Sequence, residues 1–163
     1  MKSFLFTVLL TWITTFSFAQ SSFKNELTAD HQRIPQTKVS LIPPNGFTLA
    51  KSYYGYEHKS SDSIIELIAL GGPVEDIFEV MTPSELSKQG IEVYSRKPMR
   101  IGEYKALWIK GSEWSRGKKF GKHVIVIGNE KGCFLINSNY PARKPNIGEA
   151  IEESLKSLVF PSK

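Results

Sequence analysis

Cysteine is nearly absent from this chain of 163 residues: Cys133 stands alone, so no disulfide can form within it even in an oxidising compartment. Histidine is scarce as well. His31, His58 and His123 lie apart, none at ligand spacing from another His, a Cys or an acid cluster, and the sequence offers no metal centre. A Gly-x-Ser-x-Gly elbow is missing, and the glycines fall one or two at a time in turns rather than in a phosphate-cradling loop. Nothing implies a nucleotide or another cofactor. Long apolar runs are also lacking, since the longest, over residues 4–18, is shorter than the roughly 20 residues of a bilayer span and is diluted by Thr7, Thr11, Thr14, Thr15 and Ser17.

That short run carries a different message. Lys2 precedes it, and Ser17 and Ala19 place small residues at the third and first positions before Gln20, which is the pattern of a secretory signal peptide cut after Ala19. No cysteine near the cut offers a thiol for a lipid anchor, so the expected product is exported to the periplasm or beyond without stable membrane insertion. Its 144 residues are enough for one packed core. The full chain has 21 Lys and Arg against 16 Asp and Glu, a net +5, and loses one positive charge with the signal. This mild excess permits attraction to anionic envelope polymers but is not the dense basic stripe of a nucleic-acid binder.

Residues 20–38 hold neither a helical nor a strand period and read as a flexible N-terminal lead; the globular domain is expected over 39–163. Pro43-Pro44-Asn45-Gly46 is a turn. Residues 63–70 are apolar on both alternations, which predicts a central strand covered on both faces. Over residues 91–101, Ile91, Val93, Met99 and Ile101 alternate with Glu92, Tyr94, Arg96 and Arg100. Pro98 moves that strand towards an edge or a bulge. Gly102-Glu103 makes a hairpin into 104–110, a polar loop follows over 111–119, and strands at 123–127 and 133–137 flank the Asn129-Glu130-Lys131-Gly132 turn.

Two helices have start signals: Thr82-Pro83-Ser84-Glu85, stopped at Gly90, and a longer one opened by Asn146 with Glu149 in a capping box. The second puts Ile147, Ala150, Ile151, Ser154, Leu155 and Leu158 on one face, a stripe that packs on a sheet. The elements add up to an α+β fold with an antiparallel sheet flanked by helices.

The succession VSLIPPNGF, Gly55-Tyr56, SIIELIAL, GIEVYSRKPMRIGEYKALWIKG and IEESLKSLVF resembles the PsbP-like family of bacterial secreted proteins, which includes DcrB-type envelope proteins. The likeness covers residues 39–160. It implies a sheet of about six antiparallel strands in an α/β/α sandwich, and known members that are mostly non-catalytic binding or assembly factors.

Candidate site residues are few. Glu57, His58, Ser61, Asp62 and Ser63 contain the ingredients of a hydrolytic triad, but these residue types also build ordinary turns. Cys133 precedes a buried run and reads as an inert core thiol. Tyr53, Tyr54 and Tyr56 form a candidate stacking platform for a sugar or peptide, and Trp114, Arg116, Lys118 and Lys119 place an indole among cations in the polar loop. Two classes of function follow. One is a non-enzymatic module binding an envelope protein or an anionic polymer through Trp114, Arg116, Lys118 and Lys119, with Tyr54 and Tyr56. The other is a hydrolase with an acid/base site assembled in space. Export is testable directly: mass spectrometry of the exported protein should find an N-terminus at Gln20, and retention of residues 1–19 would contradict the signal-peptide reading.

Overall fold

The computed structural model describes residue 23 and residues 25–160; the expected signal peptide, residues 1–19, lies outside the described residues. In chain order the strands are β1 (Gln32–Arg33), β2 (Ser40–Leu41), β3 (Thr48–Leu49), β4 (Gly55–His58), β5 (Ser63–Gly71), β6 (Ile91–Ile101), β7 (Tyr104–Ser115), β8 (Lys118–Asn129) and β9 (Gly132–Pro141). Helices α1 (Val74–Val80) and α2 (Pro83–Lys88) lie between β5 and β6, and α3 (Pro145–Lys156) follows β9. Seven strands, one more than the resemblance implied, pair antiparallel in the order β3-β4-β5-β9-β8-β7-β6, and β1 and β2 form a separate ribbon.

Helices on both faces make this an α/β/α sandwich with two cores. On the α3 face, Leu67, Trp108, Ile125, Ile127 and Ile136 meet Ile151 and Leu155 of the helix. On the other, Leu107, Ile109, Val124, Val126 and Cys133 lie under Val74 of α1 and Leu86 of α2. The unbroken apolar run Val124-Ile125-Val126-Ile127 therefore serves both cores in turn, as the alternation of a strand demands. At the start of α2 the Thr82 hydroxyl accepts from the Glu85 amide at 3.2 Å, the cap expected from sequence.

Several expectations are corrected. The segment before Val39 is not a loose lead: Ile34 is buried, Phe23 packs edge-on to Trp108, and His31 Nε2 donates to the Ser157 carbonyl at 2.9 Å. Strands of two residues carry no readable period, which is why the ribbon was not visible in the sequence. Strand β5 is interior, but only its Ile65 and Leu67 face is fully covered; Ile64 and Ile68 are half-exposed, because α1 and α2 pack over β6, β7 and β8 instead. In β6 the register slips between Val93 and Ser95. This bulge flips the strand, so Ile91 and Val93 join the core under α1 and α2 whereas Met99 and Ile101 join the α3 core. Helix α3 begins at Pro145 with no side-chain cap, so Asn146 and Glu149 do not form the expected box. Gly148 rather than Ala150 faces inward. Helix α1 adds a third helix to the two expected, with Val74, Ile77, Phe78 and Met81 at helical spacing behind Pro73.

Leu155 has no exposed surface and sits in the middle of the α3 contact. Leu155→Ala should lower unfolding free energy by about 2–5 kcal/mol in a denaturant titration. An unchanged midpoint would show that the α3 face does not support the sheet.

Candidate functional site

The polar segment after Gly111 is not a loop. Strand β7 continues to Ser115 and β8 starts at Lys118, with Trp114 opposite Lys119 and Ser115 opposite Lys118. Arg116 and Gly117, at φ +50° and +72°, form the two-residue left-handed turn that matches strand twist. Alternation sets Trp108, Lys110, Ser112 and Trp114 on the α3 face, where β8 presents Lys119, Gly121 and His123. Trp108 and His123 are covered, but the helix ends short of the hairpin tip, and Trp114 keeps 70% of its surface exposed.

Beside it, Tyr94 follows Glu92 by strand alternation onto the same face, just before the β6 register slip. Tyr94 and Ser112 share a hydrogen bond through their hydroxyls, and Lys119 Nζ lies 5.8 Å from the Tyr94 ring centroid. The Glu92 carboxylate accepts from Lys119 at 3.2 Å, with Ser112 and Tyr94 each at 3.3 Å. The hydrogen bond from Lys119 is the main cause of a lowered Glu92 pKa, and Tyr94 and then Glu92 raise that of Lys119. Lys119 is thus a held cation rather than a free one.

Between this face and the first turns of α3 lies a cavity of about 420 Å³, lined by Tyr94, Lys110, Ser112, His123, Tyr140 and Glu152. The Tyr140 ring is clamped between β8 and α3: a Cβ at Gly121 would lie 2.3 Å from it and one at Gly148 2.4 Å, so neither position has room for a side chain. His123 stacks on Tyr140 at 5.7 Å and is almost wholly buried, its Nδ1 without a hydrogen-bond partner among the described residues. Burial is the largest cause that pushes the His123 pKa down to about 4; Glu152 opposes the shift, while Lys110 and Lys156 add to it. Glu152 accepts from Lys110 at 2.7 Å and pairs with Lys156 at 3.3 Å. Burial raises the Glu152 pKa, but these two lysines outweigh it and the net shift is downward.

Around the edge of the sheet from Trp114, the strand ends form a cleft of about 310 Å³ whose lining includes Ser61, Asp62, Lys118, Phe120, Arg143 and Lys144. Arg116 lines the adjoining cleft with Lys118, Asp62 and Glu113. Glu113 is already paired with Lys122 at 3.1 Å. No ion pair among the described residues engages Arg116, Lys118, Arg143 or Lys144. Four cations without an ion pair among the described residues therefore gather, with Asp62 between them, at the end of the molecule that carries Trp114. Arg143 and Lys144 were absent from the sequence-level candidates, and only the return of β9 beside β8 brings them here.

The remaining candidates do not join this cluster. Tyr56 is a core residue, 1% exposed, with its hydroxyl towards the Gln32 carbonyl at 3.4 Å; it cannot act as a surface platform. Tyr54 is exposed but donates to Gln36 Oε1 at 2.8 Å beside the β1–β2 ribbon. His58 Nδ1 lies 2.6 Å from Ser61 Oγ, which is 2.8 Å from Ser63 Oγ, but both serines are buried. Glu57 pairs with Lys59, and Asp62 closes the short 3-10 turn at residues 59–61 with left-handed backbone. This is a hydrogen-bonded turn at a strand junction. Cys133 is buried, and burial raises its thiol pKa.

The burial of His123 has a measurable consequence. Unfolded, its imidazole takes a proton near pH 6.5; folded, only near pH 4. Between those values the unfolded state binds more protons, so stability is fully present above pH 6.5 and falls by about 3 kcal/mol as pH drops through the interval. Denaturant titrations at pH 7 and pH 4.5 should show a smaller loss for His123→Gln than for the parent chain. Equal losses would mean that the histidine is not held neutral.

No protein-family model matches the chain, and no curated protein sequence does. Solved structures do. LpqN of Mycobacterium tuberculosis, described as involved in cell envelope biogenesis, superposes with a TM-score of 0.56 at 18% identity, over 74% of this chain and 82% of its own. Cyanobacterial PsbP from Synechocystis gives 0.52 at 13% identity, over 82% and 95%. PA94 of Pseudomonas aeruginosa, a protein of unknown function, gives 0.55 at 11% identity, over 85% and 91%. Such identities establish fold alone, and with the strand order and the two flanking helical layers they establish that this chain has the PsbP-like fold.

Proposed function

We propose that the protein is an exported, non-catalytic module that binds an anionic polymer of the cell envelope at the tip of the β7–β8 hairpin. The observation that carries this reading is the gathering of Arg116, Lys118, Arg143 and Lys144, none of them ion-paired among the described residues, at the same end of the sheet as the exposed rings of Trp114 and Tyr94 and around its edge from them. Four cations outnumber the carboxylates of Asp62 and Glu113 that line the same clefts, and Glu113 is already paired with Lys122, so a positive excess is left that folding alone does not require. A polyanion supplies the missing partner, and the rings give it flat apolar anchors. LpqN, which shares the fold, is described as involved in envelope biogenesis, and that setting supports the same compartment here. The binding reading is preferred to hydrolysis because Ser61 and Ser63 are buried within their own turn and Glu57 is committed to Lys59.

Polygalacturonate and uncharged dextran serve as probes for the purified protein. Polygalacturonate should bind and dextran should not. Replacing Arg116, Lys118, Arg143 and Lys144 together with Gln should weaken binding by about tenfold or more and flatten its salt dependence, mainly through slower association. Trp114→Ala should instead speed dissociation. Both variants should keep unfolding free energy within about 0.5 kcal/mol of the parent. Binding indifferent to salt and to the four cations would reject the proposal.

A further inference from the structure

At the opposite end of the long strands, on the α3 side of the sheet, lies a cavity of about 460 Å³. Its apolar lining includes Leu67, Ile127, Phe134 and Phe160, with Phe134 and Phe160 rings 6.2 Å apart. The β1–β2 ribbon forms one wall and brings Arg33, Gln36, Thr37 and Lys38 to it. Tyr54 enters from the segment before β4, and its hydrogen bond to Gln36 ties that segment to the ribbon turn. Arg33 Nε donates to the Thr37 carbonyl at 2.5 Å, which fixes the turn; no ion pair among the described residues engages Arg33 or Lys38. No acidic residue belongs to the described lining.

The cavity opens to solvent past Tyr54 and Ala69, both exposed, and narrows onto apolar side chains of the sheet. Its volume is in the lower half of the range of about 300–1,000 Å³ for small-molecule sites, enough for one extended chain but not for a multi-chain lipid. The chemistry is graded: aromatic and aliphatic along the sheet and α3 core, cationic and hydrogen-bonding along the exposed ribbon turn. We propose that this cavity binds a single-chain fatty carboxylate, its hydrocarbon lying against the rings of Phe134, Tyr104 and Tyr54 and its carboxylate meeting Arg33 and Lys38. The two parts match the two gradients, since burial of methylenes supplies affinity and the cations choose the head group. The site is separate from the hairpin tip and does not depend on the polymer-binding proposal.

Calorimetric titration of the exported protein with dodecanoate, dodecanol and dodecyltrimethylammonium tests it. Dodecanoate should bind with one-to-one stoichiometry, dodecanol about tenfold more weakly, and the cationic amphiphile more weakly again. Ala69 is exposed and lines the cavity, so Ala69→Trp should block uptake of dodecanoate without disturbing the core. Reversing the rim charges with Arg33→Glu and Lys38→Glu should cut dodecanoate affinity by about tenfold or more and leave dodecanol unchanged. Polygalacturonate binding in these variants provides an independent readout of the hairpin tip and of the fold. Failure of dodecanoate to bind would overturn the inference, as would uptake unaffected by Ala69→Trp, or equal affinity for the three head groups. A dimer that Ala69→Trp dissolves, with no dodecanoate uptake, would overturn it in favour of a second copy of the chain as occupant.

Discussion

The antiparallel ladder between β5 and β9 is the contact on which the rest of the molecule depends. It pairs Ile64 with Asn139 and runs to Gly71 with Gly132, joining residues more than sixty positions apart in sequence. Without it, β3 to β5 would be a small meander and β6 to β9 a second one, each with an uncovered edge. With it, Leu67 comes beside Ile136 and the α3 core closes across the join. Such a pairing has to overcome a large loop-closure entropy before it returns any burial. The ladder also seats β9 between β5 and β8, and through that position delivers Tyr140, Arg143 and Lys144 to the hairpin end.

Local features of this arrangement were legible in the sequence because they are written in local periods. The Thr82 cap, the amphipathic stripe of α3 and the alternation through β7, β8 and β9 each need only a few neighbouring residues to be recognised. The β6 edge strand was also readable from Pro98, but the register slip lies at Tyr94, where no proline or glycine marks it. That slip exchanges the faces of Ile91 and Met99, so a single alternation through the strand assigns residues of two cores to one. The sequence marks Trp114 as an exposed indole among cations but does not mark the strand that carries it. A polar alternation ending in Arg116-Gly117 has the same composition as a loop. It differs only in having Lys118 and Lys119 opposite.

The candidate sites themselves were less legible, for a physical reason. His123 gains its low pKa from burial against Tyr140 and from charges on β7 and α3, none of them near it in sequence. The cationic cluster takes Arg116 and Lys118 from one turn and Arg143 and Lys144 from another. Tyr54 and Tyr56 show the complementary error. Their shared composition suggested a shared platform, yet strand alternation sends Tyr56 into the core and the chain path leaves Tyr54 at the ribbon. A motif search has nothing to find in such cases, since the chemistry is assembled by pairing rather than by spacing.

An up-and-down sheet also explains why two surfaces of different character can coexist on a small domain. Consecutive hairpins turn at opposite ends, so the β7–β8 tip lies at one end while the β6–β7 and β8–β9 turns lie at the other. Strands of 12 residues, the length of β7 and of β8, separate those ends by about 40 Å, several Debye lengths at physiological salt. Charges at the hairpin tip are therefore electrostatically remote from Arg33 and Lys38. The apolar cavity is placed where α3 has already passed and Phe160 returns beside Tyr104 and Phe134. Charge at either end therefore leaves the field at the other unaltered. Two elements join the ends: the β7–β8–β9 ladders, each with a single register, and α3, which runs from Lys144 at the cationic end towards Phe160 in the cavity.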